Sequence, residues 1–236
     1  MVSINTVYQR VLAILNKENR GYLTPQEFNL MANQAQLEIF EQYFYDLNQF
    51  SRMGDNDSEY ANIIENIEEK IESFSNVVGT NIYNDYYADL PRDLYRIGSI
   101  SNNNVIFDRV SKKEKNDILR SPLLNIDSDN SYVDSSNVSP IGVYCITGSV
   151  IEVYPSVSEI NINYIRKPID VSWGYVNVSN TPLFDGTNSV NFELHESDEP
   201  SLVVKILSYA GISIKQAEIT QLAENKDAKM TTEEKS

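Results

Sequence analysis

The apolar residues of this chain change their spacing twice, near Ser75 and again near Ser197, and that double change limits the folds open to it. Up to about residue 75 they recur every three or four positions, the repeat of helices with one side in a core. From 76 to 196 they come as short β-prone runs separated by Asn, Asp, Ser, Gly and Pro. Helical spacing then resumes. The expectation is an α+β chain: a helical bundle made of 1–75 and 197–224, a β-rich domain over 76–196 inserted into it, and a polar, disordered tail over 225–236. With 236 residues the chain can bury a substantial core.

The helical part opens with Val7, Val11, Ile14 and Leu15 at helical spacing. A start signal follows at Thr24-Pro25-Gln26-Glu27: Thr24 caps, Pro25 suits the first helical position, and Glu27 reaches back to the cap. The helix it opens is expected to run to about Asn48 and carries two apolar stripes. One is Phe28, Met31, Ala32, Ala35, Ile39, Tyr43 and Leu47; the other is Leu30, Leu37, Phe40 and Phe44. A surface helix shows a single stripe, so this one is either packed between several helices or turned toward a neighbouring subunit on its second stripe. Leu30, Leu37, Phe40 and Phe44 are therefore interface candidates. A third helix, capped near Asp57 or Ser58, has Tyr60, Ile63, Ile64, Ile67, Ile71 and Phe74 on one face.

In the β-rich part, Leu94–Ile100, Asn104–Phe107, Val143–Ile146 and Val150–Tyr154 read as strands, the last two joined by the hairpin Thr147-Gly148-Ser149. Ile160, Ile162 and Tyr164 alternate with asparagines, as a half-buried strand requires. The 125–139 loop is mostly Ser, Asn and Asp, hence solvated. Tyr83, Tyr86 and Tyr87 are a second set of interface candidates, because tyrosine joins a large apolar body to a polar tip. The competing reading is a tyrosine-rich loop packed on its own domain.

Charge and chemistry exclude several classes. Nineteen Lys and Arg against thirty-four Asp and Glu give a net charge of −15. The densest basic patch, Lys112-Lys113-Glu114-Lys115, is short and interrupted, so the chain is not expected to bind nucleic acid through its phosphates. No apolar run approaches the ~20 residues that cross a bilayer. The N-terminus has no signal-peptide pattern, and folding in a cytosol is expected. Cys145 and His195 are the only residues of their kinds. Zinc wants three or four protein ligands, and a nucleophilic thiol wants a histidine. The stretch 16–27 has the glycine (Gly21), apolar residue (Leu23) and final glutamate (Glu27) of an EF-hand loop. Asn16 at its first ligand position and the Arg20 cation at its fifth argue against calcium, and the capping box explains Thr24 and Glu27 without an ion. No catalytic residue, cofactor or metal ligand is expected, and the chain is not expected to be an enzyme.

The segment Leu90-Pro91-Arg92-Asp93-Leu94-Tyr95-Arg96-Ile97 resembles the turn-into-strand of tail tubular protein A-type neck proteins of short-tailed phages. Residues 16–29, centred on Gly21-Tyr22-Leu23-Thr24-Pro25-Gln26-Glu27-Phe28, are similar to the start of structural proteins from crAss-like phages. Tyr164-Ile165-Arg166-Lys167-Pro168 and Phe192-Glu193-Leu194-His195 continue the likeness in pattern. The resemblance implies a virion head-to-tail connector assembled in the host cytoplasm: a homo-oligomeric ring, usually twelvefold, between the portal protein and a tail or second ring protein. DNA would pass through its channel without specific binding, and no membrane would be involved. Two other classes stay open, an EF-hand-like calcium-binding module and a carbohydrate-binding or adhesive β protein, the latter suggested by the abundance of Tyr and Asn.

Overall fold

The computed structural model describes residues 1–17, 23–53, 58–102, 105–120, 141–179 and 181–213. The centre of the EF-hand-like stretch, the side chain of Tyr60, the 125–139 loop, Ile214 onward and the tail lie outside the described residues. The chain forms an α+β fold of two compact units, 1–73 with 168–236, and 74–167.

The first unit holds α1 (Ile4–Lys17), α2 (Pro25–Met53) and α3 (Ser58–Glu72), together with α5 (Glu199–Ser213). Helix α1 buries Ile4, Val7, Tyr8, Val11 and Leu15, while Ile14 stays in solvent. The start of α2 is the capping box read from sequence. Thr24 N donates to Glu27 Oε2 at 2.9 Å, and Glu27 N donates to Thr24 Oγ1 at 3.3 Å. The Thr24 hydroxyl, donating to Glu27 Oε2 at 2.7 Å, and then the Thr24 N–H hold the Glu27 carboxyl below its usual range. Helix α2 runs five residues beyond Asn48 and packs on α3 and α5.

The β-rich unit ends earlier than the spacing predicted, because 168–196 belongs with the helices. The reason is a ladder of amide side chains along α2. Asn33 receives the Val171 N–H at 2.7 Å and donates to the Val171 carbonyl at 2.9 Å. One turn earlier, Asn29 receives the Trp173 N–H at 2.8 Å. On the other side, Gln36 donates to the Ile169 carbonyl at 2.9 Å and receives the Glu193 N–H at 3.2 Å. Residues 29, 33 and 36 lie on one helical face, so α2 satisfies extended backbone as a neighbouring strand would. Trp173 then enters the core, its ring 4.2 Å from Tyr8 and its Nε1 donating to Asn5 at 3.1 Å. Val171, Phe192 and Leu194 are buried with it. From this base projects a two-stranded hairpin, β8 (Tyr175–Val178) and β9 (Thr181–Phe184).

The second unit is a seven-stranded sheet. In spatial order it runs β1 (Ser75–Asn81), β7 (Glu159–Arg166), β3 (Leu94–Asn102), β4 (Val105–Arg109), β5 (Ile141–Thr147), β6 (Val150–Tyr154) and β2 (Tyr87–Asp89). All pairs are antiparallel except β4 with β5. A parallel pair needs a crossover, and this one contains α4 (Lys112–Arg120). Ile160, Ile162 and Tyr164 of β7 point into a core with Ile100, Phe107, Ile151 and Val153. Gly142 faces the Phe107 ring across the β4–β5 pair, and a side chain there would overlap the ring.

The ladder makes Asn33 more than a surface polar residue. Asn33→Leu leaves the Val171 N–H and C=O without partners and is expected to cost about 2–3 kcal/mol. Urea unfolding followed by the fluorescence of the single tryptophan, Trp173, measures it; a change within about 0.5 kcal/mol, as for an ordinary surface site, would show the ladder to be incidental.

Candidate interaction surfaces

The second stripe of α2 divides. Phe40 is fully buried and Phe44 nearly so, their rings 5.1 Å apart edge to face. They sit one position along from Ile39 and Tyr43 and widen the same inward face, so they are core residues and not contacts for another subunit. Leu30, by contrast, is 74% exposed, and Leu37 is also in solvent. Seven residues apart, they share one line along the helix; Tyr45, about 80° further round, is exposed as well.

The three tyrosines frame the entry to β2. Tyr83 and Tyr87 exchange backbone hydrogen bonds of 2.7 and 3.0 Å. Asn84 and Asp85 turn the chain between them at φ of 48° and 69°, a region that Asn and Asp tolerate best among residues with a Cβ. Tyr83 donates to Asp89 at 2.9 Å, and this hydrogen bond to a carboxylate raises the Tyr83 phenol above its ordinary value. Tyr86 stacks on Tyr154 with centroids 4.7 Å apart. Tyr83 and Tyr87 are exposed and Tyr86 is half-buried, so the loop both packs on its own unit and presents aromatic surface.

Sequence reading missed the β8–β9 hairpin. Val176, Val178, Leu183 and Phe184 all lie in solvent, each more than 40% exposed. Its base is fixed: Trp173 lies against Tyr175 and Phe184 at 5.9 and 5.7 Å, and Asp185 N donates to the Gly174 carbonyl at 2.9 Å. A lone two-stranded hairpin is marginal in water. The only signal for it was Tyr175-Val176-Asn177-Val178, too short a run to separate from loop.

The titratable clusters are satisfied internally. In the first unit the buried Asp198 carboxylate accepts from Tyr43 at 2.7 Å and pairs with Lys70 at 2.8 Å. This pair lines a cleft of about 550 Å³ bounded by α2, α3 and the start of α5. His195 is spent on structure, its Nδ1 accepting the Ser197 N–H at 3.2 Å as the cap of the turn Glu196–Asp198. In the second unit Glu152 accepts from Lys115 at 2.9 Å, from Tyr154 at 2.5 Å and from Cys145 at 3.3 Å. Burial opposes its ionisation, but these hydrogen bonds outweigh burial and hold the carboxyl below its usual range. Burial, and then the hydrogen bond to Glu152, push the Cys145 thiol up, so it stays protonated at neutral pH. Among the described residues no group of three or more His, Cys, Asp or Glu is placed to hold a metal ion, and no helix is long and apolar enough to cross a membrane.

Because Glu152 is more acidic folded than unfolded, its contribution to stability is present above the unfolded value near pH 4.3 and disappears as pH falls through the folded value. Glu152→Gln should flatten that acid limb. At neutral pH it should cost on the order of 3 kcal/mol, since it strands the nearly buried Lys115 ammonium. Hydrogen exchange of the β5 and β6 amides between pH 3 and 7 reads both effects; an unchanged acid limb would show that Glu152 is not the responsible carboxylate.

No family model matches the chain, and no curated protein matches it.

Proposed function

We propose that this chain is a structural subunit without enzymatic activity, one protomer of a ring in a phage neck that joins portal to tail around the DNA channel. The observation that carries the reading is large apolar side chains standing in water on a strongly acidic protein. Leu30, Leu37 and Tyr45 line the outer side of α2, Tyr83 and Tyr87 mark the β2 entry, and the β8–β9 hairpin exposes four more. Within each unit, large apolar side chains grouped in water, above all the four on one hairpin, suit sites where other chains bind. The resemblance carried by Leu90–Ile97 and by residues 16–29 supplies the kind of assembly, and the α+β organisation suits it.

The polar chemistry favours the same reading. Buried Asp198 and the nearly buried Glu152 are each engaged by partners of the same unit, which suits a rigid scaffold and leaves neither carboxylate poised for proton transfer. A net charge of −15 suits a wall that DNA slides past, because like charges repel. The calcium-binding alternative loses the Glu27 carboxylate, which the capping box already uses.

Native mass spectrometry of the purified protein, with and without calcium, tests the proposal. A closed cyclic oligomer insensitive to calcium is the expected result. A monomer that gains discrete calcium ions would overturn it in favour of the calcium module.

A further inference from the structure

Helix α4 rests on β5 through Lys115 and Ile118, both half-buried, and none of its nine residues is fully buried. Helices this short are marginal in water without a packed face. A capping box holds its start, Ser111 N donating to Glu114 Oε2 at 2.8 Å and Glu114 N to Ser111 Oγ at 3.2 Å. One side is tied to the sheet through Lys115 and Glu152. The other side presents Lys112, Lys113, Asn116, Leu119 and Arg120, all exposed. Leu119 is 40% exposed, with Lys115 and Asn116 one turn before it and Arg120 next to it in sequence.

Helix α3 is the complement. Its apolar face is only part covered, since Ile63, Ile64 and Ile67 remain half-buried. Beside Ile64 run Glu65, Glu68 and Glu72, exposed and spaced by three and four residues, and no described hydrogen bond or ion pair engages them. Like charges at that spacing destabilise a helix, a cost that apposed cations remove. The two ridges also match in length, since residues 112–120 and 65–72 each span roughly 10–12 Å of helix.

We infer that α4 of one copy docks on α3 of the next copy, with Leu119 against Ile64 and Lys112, Lys113 and Arg120 against Glu65, Glu68 and Glu72. This rests on the proposed ring, and it identifies a contact that would build it. The charge balance is the argument for a second copy as the occupant. Residues 74–167 hold 9 Lys and Arg against 11 Asp and Glu, whereas the rest of the chain holds 10 against 23. Copies carrying −15 repel one another unless opposite charges meet at the contact. A basic helix in the near-neutral unit meeting an acidic helix in the other unit supplies that attraction. It also makes the contact head-to-tail, the kind that generates a ring. A nine-residue helix cannot cover the ~800 Å² per partner of a stable interface, so the contact is one part of a larger surface and weak between two free copies.

Disulfide trapping suits a weak contact. Chains carrying Glu68→Cys are mixed with chains carrying Asn116→Cys, both exposed sites, under mild oxidation; Cys145 is buried and left in place. The mixed disulfide should exceed either self-pair several-fold. Lys112→Glu with Lys113→Glu on the second chain should abolish the excess, and moving the cysteine to Thr187 should never show it. Mixed and self-paired products in random proportion would overturn the contact. So would DNA binding through Lys112 and Lys113 at physiological salt without the mixed disulfide. Native mass spectrometry of the same mixture separates the two claims. A closed oligomer with random disulfides condemns this contact alone, and an enriched disulfide in pairs that never close into a cycle condemns the ring and leaves the contact standing.

Discussion

The amide ladder on α2 is the interaction from which the helical unit follows. A segment of backbone in extended conformation has as many donors and acceptors as a helix and needs partners for all that are buried. Asn29, Asn33 and Gln36 supply them to Ile169, Val171, Trp173 and Glu193, and Gln36 does so from a position almost without solvent. With those bonds made, Trp173 can fill the space beside Tyr8, whose ring also meets Phe28, and the chain leaves the core at a fixed place to form the β8–β9 hairpin. It returns through Asn191, which accepts the Ile4 N–H at 3.0 Å, and reaches α5 with Asp198 already under Tyr43 and Lys70. Without the ladder these consequences would lack a common anchor.

The sequence was legible wherever burial imposes a period. Helices α1 and α3, the Thr24–Glu27 box and the alternation of Ile160, Ile162 and Tyr164 all follow from side chains that must face one way. Residues 168–196 were not legible because their fold is set by backbone hydrogen bonds to amides more than 130 residues away. Such bonds leave no hydrophobic repeat in the segment itself. Helix α4 escaped notice for a related reason: it buries nothing, so its nine residues carry charge where a period would be read. The two stripes of α2 were visible, but their division was not. Phe40 and Phe44 differ from Leu30 and Leu37 in what other helices reach, which only the packing of α3 and α5 on α2 decides.

The candidate interaction surface shows the same division between what a residue is and what it touches. Tyr83 and Tyr87 are amphipathic side chains and are exposed, yet Tyr83 also bonds to Asp89 close by in its own unit. The hairpin, with its four apolar side chains in water, had no pattern long enough to announce it. In both units a carboxylate held largely out of solvent is matched at short range, Asp198 in one and Glu152 in the other, which rigidifies its surroundings. The exposed apolar residues lie outside those networks, free to meet another chain without disturbing the core.

Native-state hydrogen exchange at the Val171 and Trp173 amides tests the ladder most directly. If Asn29 and Asn33 serve as strand partners, both amides exchange only through unfolding of the helical unit, at the rate of the slowest amides in α2. Exchange of Val171 and Trp173 by local opening, orders of magnitude faster than α2, would contradict the account and make 168–194 a loop that merely rests on the helices.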